Sequence, residues 1–165
     1  MSDSLLPKDI VDLARRVVEE NIAAGRRIAL AESCTGGLVA AAITEIGGSS
    51  AVLDRSFVTY SNEAKQQMLG VAGDIIDAFG AVSIACVYAM AEGALKRSGA
   101  DIAVAISGIA GPEGGSPQKP VGTVVFAKAI RDPEEKDAEQ RIFAEQDRAG
   151  VRRQATLVAL ELLLP

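Results

Sequence analysis

The chain has 165 residues and a formal net charge of −5 at neutral pH, so the basic face of a general nucleic-acid binder is not expected. Apolar residues make up 48% and charged residues 24%, a mixture that fits one globular domain over residues 1–165; with 4% aromatics and no Trp, its core must come from Ala, Val, Ile and Leu. Histidine is absent, which excludes a Ser-His-Asp triad, a Cys-His dyad and His-ligated zinc and leaves Lys, Tyr, Asp, Glu or Cys to move any proton.

The opening stretch Met1 to Lys8 is short and polar, without the apolar run of a secretory leader. No later run reaches the roughly 18–20 apolar residues that cross a bilayer, so a cytoplasmic address without membrane partners is expected. Pro7 opens a helix whose apolar positions Ile10, Leu13, Ala14, Val17 and Ile22 recur at helical spacing until Gly25. A short buried strand, Arg27 to Ala31, leads into Glu32-Ser33-Cys34-Thr35-Gly36-Gly37, and a second helix follows from Leu38 to Ile46. Ser50 to Tyr60 is rich in strand formers, and Ser61 or Asn62 caps a helix through Lys65 to Leu69.

A short helix from Asp74 to Phe79 and a longer one from Ser83 to Arg97 come next, the latter ended by Ser98-Gly99. Ile102 to Ile106 has the continuous apolar character of a strand buried on both faces. A Gly- and Pro-rich loop, Ser107 to Pro120, precedes a strand from Val121 to Ile130. The charged turn Asp132 to Lys136, an edge strand near Ala138 to Ala144 and a final helix capped by Asp147 complete the chain. Strands alternating with helices predict a three-layer α/β/α sandwich of about five strands.

Chemistry concentrates in three segments. The turn after the first strand puts Ser33 or Cys34 beside the free N–H groups of a helix start, where Thr35, Gly36 and Gly37 can hold a phosphate or an oxyanion. The plain alternative is that Ser33 or Thr35 only caps the helix and the glycines permit close packing. In Thr59-Tyr60-Ser61-Asn62-Glu63-Ala64-Lys65, a desolvated Lys65 or a Tyr60 phenolate can serve as the base a serine nucleophile needs. A solvated surface lysine and a half-buried tyrosine are the ordinary alternative. The third segment, Ser107-Gly108-Ile109-Ala110-Gly111, can fold around a ribose or phosphate, although it matches neither GxGxxG nor GxxxxGK[ST].

Other signals carry less. Ser116-Pro117-Gln118-Lys119 has Ser-x-x-Lys spacing, but Pro117 and Pro120 oppose the helical turn that motif requires. Cys86 belongs to an apolar helix face, whereas Cys34 at a helix start is an alternative nucleophile through a lowered thiol pKa. Arg148, Arg152 and Arg153 crowd the start of the last helix, where they either bind an anion or pair with surface carboxylates.

Ala31-Glu32-Ser33-Cys34-Thr35-Gly36-Gly37, Phe57 through Lys65, Ile106 through Pro112 and Lys119-Pro120-Val121-Gly122-Thr123 together resemble the C-terminal domain family of competence/damage-inducible CinA proteins, from about Leu13 to Leu162. The resemblance implies a mixed, mostly parallel sheet in a three-layer fold. It also implies deamidation of nicotinamide mononucleotide to nicotinic acid mononucleotide and ammonia, with no cofactor or metal. Ser33 falls on the family's nucleophile and Tyr60 and Lys65 on its supporting base residues. Ser107, Gly108, Gly111 and Arg148 fall where ribose and phosphate would be held. Where the family commonly has Gly-Asp-Arg before the last helix, this chain has Gln146-Asp147-Arg148. A non-catalytic nucleotide-binding module linked to competence or DNA damage, and an amidase for another amide, are the competing expectations. A homo-oligomer is consistent with the apolar helical surface.

Overall fold

A computed structural model describes residues 4–165; the first three residues of the polar opening stretch lie outside them. Five strands form one sheet in the order β2-β1-β3-β4-β5, with β1 at Ile28–Glu32, β2 at Leu53–Val58, β3 at Ile102–Gly108, β4 at Thr123–Ile130 and β5 at Glu135–Ile142. The pairings of β1 with β2 and β3 are parallel, and those of β4 with β3 and β5 are antiparallel. Only β4 therefore runs against the other four strands. The sheet is mixed, as expected, with its parallel part at β2-β1-β3 and the antiparallel part toward the β5 edge.

Strand alternation explains the two cores. In β1 and β3 the large residues Ile28, Leu30, Ile102, Val104 and Ile106 face one side, while Ala29, Ala31, Ala103 and Ala105 face the other. The large side packs on α1 (Lys8–Ala24), α2 (Leu38–Thr44) and α6 (Arg148–Leu162). On the alanine side, α5 (Ile84–Lys96) lies close to the sheet with α3 (Asn62–Leu69) and α4 (Gly73–Phe79) beside it. A Cβ at Gly93 of α5 would collide with the backbone of Leu69 at the end of α3, so glycine sets the approach of those two helices. Three layers result.

The sequence cues act where expected. Gly25 ends α1 in the left-handed region at φ 64°, and the side chains of Ser61, Ser83 and Asp147 cap α3, α5 and α6 by accepting from Ala64, Cys86 and Gly150 N–H. Most strand boundaries differ from expectation by one or two residues, and two differ by more. Residues Ser49–Ala51 form a single 3-10 turn rather than the start of β2, following Gly48 at φ 87°. β5 begins at Glu135, inside the run expected to be a turn, because its exposed edge pairs with β4 from Ile130↔Glu135 onward and lets charged residues face solvent. Among the described residues no helix is long and apolar enough to cross a membrane.

Candidate active site

The site lies where the parallel strands end. β1 leads through α2 to β2 on one side of it, and β3 flanks it on the other, which makes the crevice beyond β1 and β3 a topological switch point. Ser33 follows β1 directly, and its N–H donates to the Ile106 carbonyl of β3 at 3.0 Å. The Thr59 N–H reaches back to the Glu32 carbonyl at 2.9 Å, bringing the end of β2 and the start of α3 alongside. Ser33 and Lys65 are thereby placed together although 32 residues separate them.

Lys65 is 1% exposed, and its Nζ lies 3.1 Å from Ser33 Oγ, 2.9 Å from the Thr59 carbonyl and 3.1 Å from the Tyr60 carbonyl. No carboxylate pairs with it among the described residues. Burial pushes its pKa below the ordinary lysine value. In its neutral form the amine can donate to the two carbonyls and turn its lone pair toward Ser33. That is the geometry of a general base.

Tyr60 takes part differently from the phenolate base weighed above. Its carbonyl holds Lys65, while its 61%-exposed side chain stands at the cavity mouth with the phenolic oxygen 3.1 Å from Arg148 Nη2. Among the described residues the phenol has no hydrogen bond to Ser33 or Lys65. Arg148 also donates to the Gly111 carbonyl at 2.6 Å, tying the Gly-rich loop to the start of α6.

Ser33, Cys34, Tyr60, Asn62, Lys65, Ser107, Gly108, Ala110 and Arg148 contribute to the lining of a cavity of about 200 Å³. Ala110 and Arg148 also line a groove of about 550 Å³ along the start of α6, together with Arg152. Arg153 pairs with Asp9 at 2.8 Å, but neither Arg148 nor Arg152 has a carboxylate partner among the described residues. Arg152 instead donates to the carbonyls of Cys34 and Thr35, at 3.1 and 3.4 Å. The groove, which Asp147 also lines, thus carries two guanidiniums that form no ion pair among the described residues, a chemistry that can receive a phosphate.

Not every expected residue faces the cavity. Thr35 is fully buried with its hydroxyl donated to Glu32 at 2.8 Å, and the Gly36 N–H donates to the Ser33 carbonyl at 3.0 Å, so neither group is free for a ligand. Gly37 is the N-cap of α2 at φ 102°. The amides that donate to nothing among the described residues include those of Cys34 and Thr35. Ser107 lines the cavity, but its hydroxyl donates to the Ala81 carbonyl at 2.9 Å. Gly111 meets Arg148 rather than the cavity.

Cys34 does not have the lowered thiol pKa expected of a helix start. Burial pushes it up to about 11, and its Sγ packs against Gly108, where a Cβ would come within 3.0 Å of it. Desolvation outweighs the helix terminus here. Sequence reasoning missed Glu32, which is fully buried beside Ser33. The signal was a lone carboxylate ending a strand otherwise made of Ile28-Ala29-Leu30-Ala31.

An open α/β sheet places a serine and a buried lysine together at its switch point, a pair that can serve hydrolytic chemistry. The chain belongs to the CinA C-terminal domain family, whose model matches residues 10–165. It is 52% identical over 163 residues to the Escherichia coli K12 protein named nicotinamide-nucleotide amidohydrolase PncC, covering 99% of this chain and 95% of that one. A CinA-like protein of Anaeromyxobacter dehalogenans is 50% identical over 92% of this chain and 36% of its own length. Among solved structures, the competence/damage inducible protein CihA of Agrobacterium tumefaciens superposes with a TM-score of 0.94 at 49% identity, covering 97% of this chain and 96% of that one.

Proposed function

We propose that this chain is an amidohydrolase that converts nicotinamide mononucleotide and water to nicotinic acid mononucleotide and ammonia. The observation that carries the chemistry is the buried Lys65 amine 3.1 Å from Ser33 Oγ. The substrate class is supported by the relative named nicotinamide-nucleotide amidohydrolase and by the groove with Arg148 and Arg152.

Neutral Lys65 takes the Ser33 proton as Oγ bonds to the carboxamide carbon. The carbonyl oxygen gains the negative charge of the tetrahedral intermediate, and the Cys34 N–H, on a residue that lines the cavity, stabilises it. As the C–N bond breaks, the Lys65 ammonium gives its proton to the nitrogen and ammonia leaves. Lys65, neutral again, takes a proton from the water that attacks the Ser33 ester. The ester C–O bond then breaks, the Lys65 proton returns to Ser33, and the product leaves as the carboxylic acid, which gives its proton to solvent. No histidine is needed. Tyr60 and Arg148 border the ring and ribose, and Arg148 and Arg152 receive the phosphate. A free nucleotide as substrate is in keeping with a cytoplasmic enzyme.

The test is ammonia release from nicotinamide mononucleotide by the purified protein, with free nicotinamide as comparator. Release from the nucleotide supports the proposal. Saturable nucleotide binding without ammonia release would instead mark a non-catalytic binding module, and release from other carboxamides alone would move the substrate.

A further inference from the structure

The Glu32 side chain is fully buried and has no basic partner among the described residues. A buried carboxylate without a counter-ion is strongly unfavourable unless hydrogen bonds replace its hydration. Here both oxygens are fully engaged. Oε1 accepts from the Thr35 hydroxyl at 2.8 Å and the Val39 N–H at 2.9 Å, and Oε2 accepts from the Ser56 hydroxyl at 3.0 Å and the Ala40 N–H at 3.2 Å. Val39 and Ala40 lie in the first turn of α2, whose N–H groups lack partners within the helix. One side chain therefore joins the end of β1, the nucleophile turn, the start of α2 and the middle of β2.

We infer that Glu32 is the positioning residue for Ser33, and this inference rests on the proposed role of Ser33 as nucleophile. The turn from Ser33 to Gly37 contains two glycines at positive φ, Gly36 at 59° and Gly37 at 102°, and has little stiffness of its own. Glu32 holds Thr35 at its middle and α2 at its end. Arg152 grips the same turn from the other side through the Cys34 carbonyl. Glu32 touches neither Ser33 Oγ nor Lys65. It acts by keeping Ser33 Oγ at hydrogen-bond distance from Lys65 and the Cys34 N–H in place for the oxyanion.

The experiment compares the parent with Glu32→Gln and Thr35→Val, using a fluorophosphonate whose fluoride the Ser33 oxygen displaces from phosphorus. The labelling rate and the fraction of labelled sites are read together with kcat, KM for nicotinamide mononucleotide and the thermal melt. In Glu32→Gln an amide nitrogen must face two donors in either orientation, and kcat per labelled site should fall about 100-fold with labelling slowed in parallel. KM should stay within about threefold of the parent. Thr35→Val keeps the side chain's shape, removes one donor and should lower kcat per labelled site about tenfold; it decides the matter if Glu32→Gln does not fold. A purely structural role would lower the melt and the labelled fraction while leaving kcat per labelled site within about threefold of the parent, and that result overturns the inference. A parent whose Ser33 takes up no phosphonate overturns it together with the nucleophile. A parent that is labelled but releases no ammonia overturns only the substrate, and the labelling rates then decide.

Discussion

Lys65 Nζ lies 3.1 Å from Ser33 Oγ, and the carbonyls of Thr59 and Tyr60 occupy its two other hydrogen-bonding directions. The amine is held by neutral acceptors in a buried setting, so its charged form gains no ion pair to offset lost hydration. Desolvation therefore dominates and lowers its pKa. A lysine so placed gives up its proton at a lower pH than a solvated one, which is the property the proposed base needs.

The rate should accordingly rise with pH on its acidic limb. Lys65 must be neutral to take the Ser33 proton, so kcat/KM climbs as pH passes through its lowered pKa and levels off above it. A pH–rate profile checks this, and Lys65→Met should lose about 1,000-fold or more in kcat at every pH. A profile that climbs only through the ordinary lysine range would contradict the desolvated base.

The same group links stability to pH. Its folded pKa lies below its unfolded one, so between the two the unfolded chain keeps a proton that the folded protein has released. Stability contributed by this site thus rises with pH across that window. Denaturant unfolding of the parent and Lys65→Met should differ in this way, with the alkaline gain absent from the variant.

Cys34 should be dispensable for the chemistry. Its thiol is pushed up to about 11 by burial, so it is protonated at neutral pH. Cys34→Ala should keep kcat within about threefold, and the parent should react slowly with maleimide at pH 7. Loss of turnover equal to that of a Ser33 variant would transfer the nucleophile to Cys34.

Arg148 should distinguish nucleotide from nucleoside. Its guanidinium has no carboxylate partner among the described residues and bonds only the neutral Gly111 carbonyl and Tyr60 phenol, so its charge remains for a phosphate. Arg148→Ala should raise KM for nicotinamide mononucleotide about tenfold or more while changing that for nicotinamide riboside little. Equal losses on both substrates would assign Arg148 to holding Tyr60 and Gly111 instead.

Much of this was legible in the residues because local chemistry and global fold agree. Gly25, Ser61, Ser83 and Asp147 mark helix ends through effects confined to a few neighbouring residues. The run Ile102 to Ile106 announces a buried strand for the same reason. An edge strand near Ala138 to Ala144 was legible, but the start of β5 at Glu135 was hidden, since charged residues facing solvent read as a turn until their pairing with β4 is known. Within the site, Ser33 and Lys65 could be nominated from residue type, but which way each side chain points depends on contacts distant in sequence. Tyr60 offers a carbonyl to Lys65 and a phenol to Arg148, a division no local pattern records. Glu32 accepts one of its four bonds from Ser56 across the sheet, a contact that became visible only once β1 and β2 were paired.

The central claim, that Ser33 is the nucleophile of an amidohydrolase, is tested most directly by measuring ammonia release from nicotinamide mononucleotide by the parent and Ser33→Ala, alongside nucleotide binding by calorimetry. The account predicts robust release by the parent, a loss of about 1,000-fold or more in the variant and a Kd changed by no more than about threefold. Substantial turnover by Ser33→Ala would contradict it.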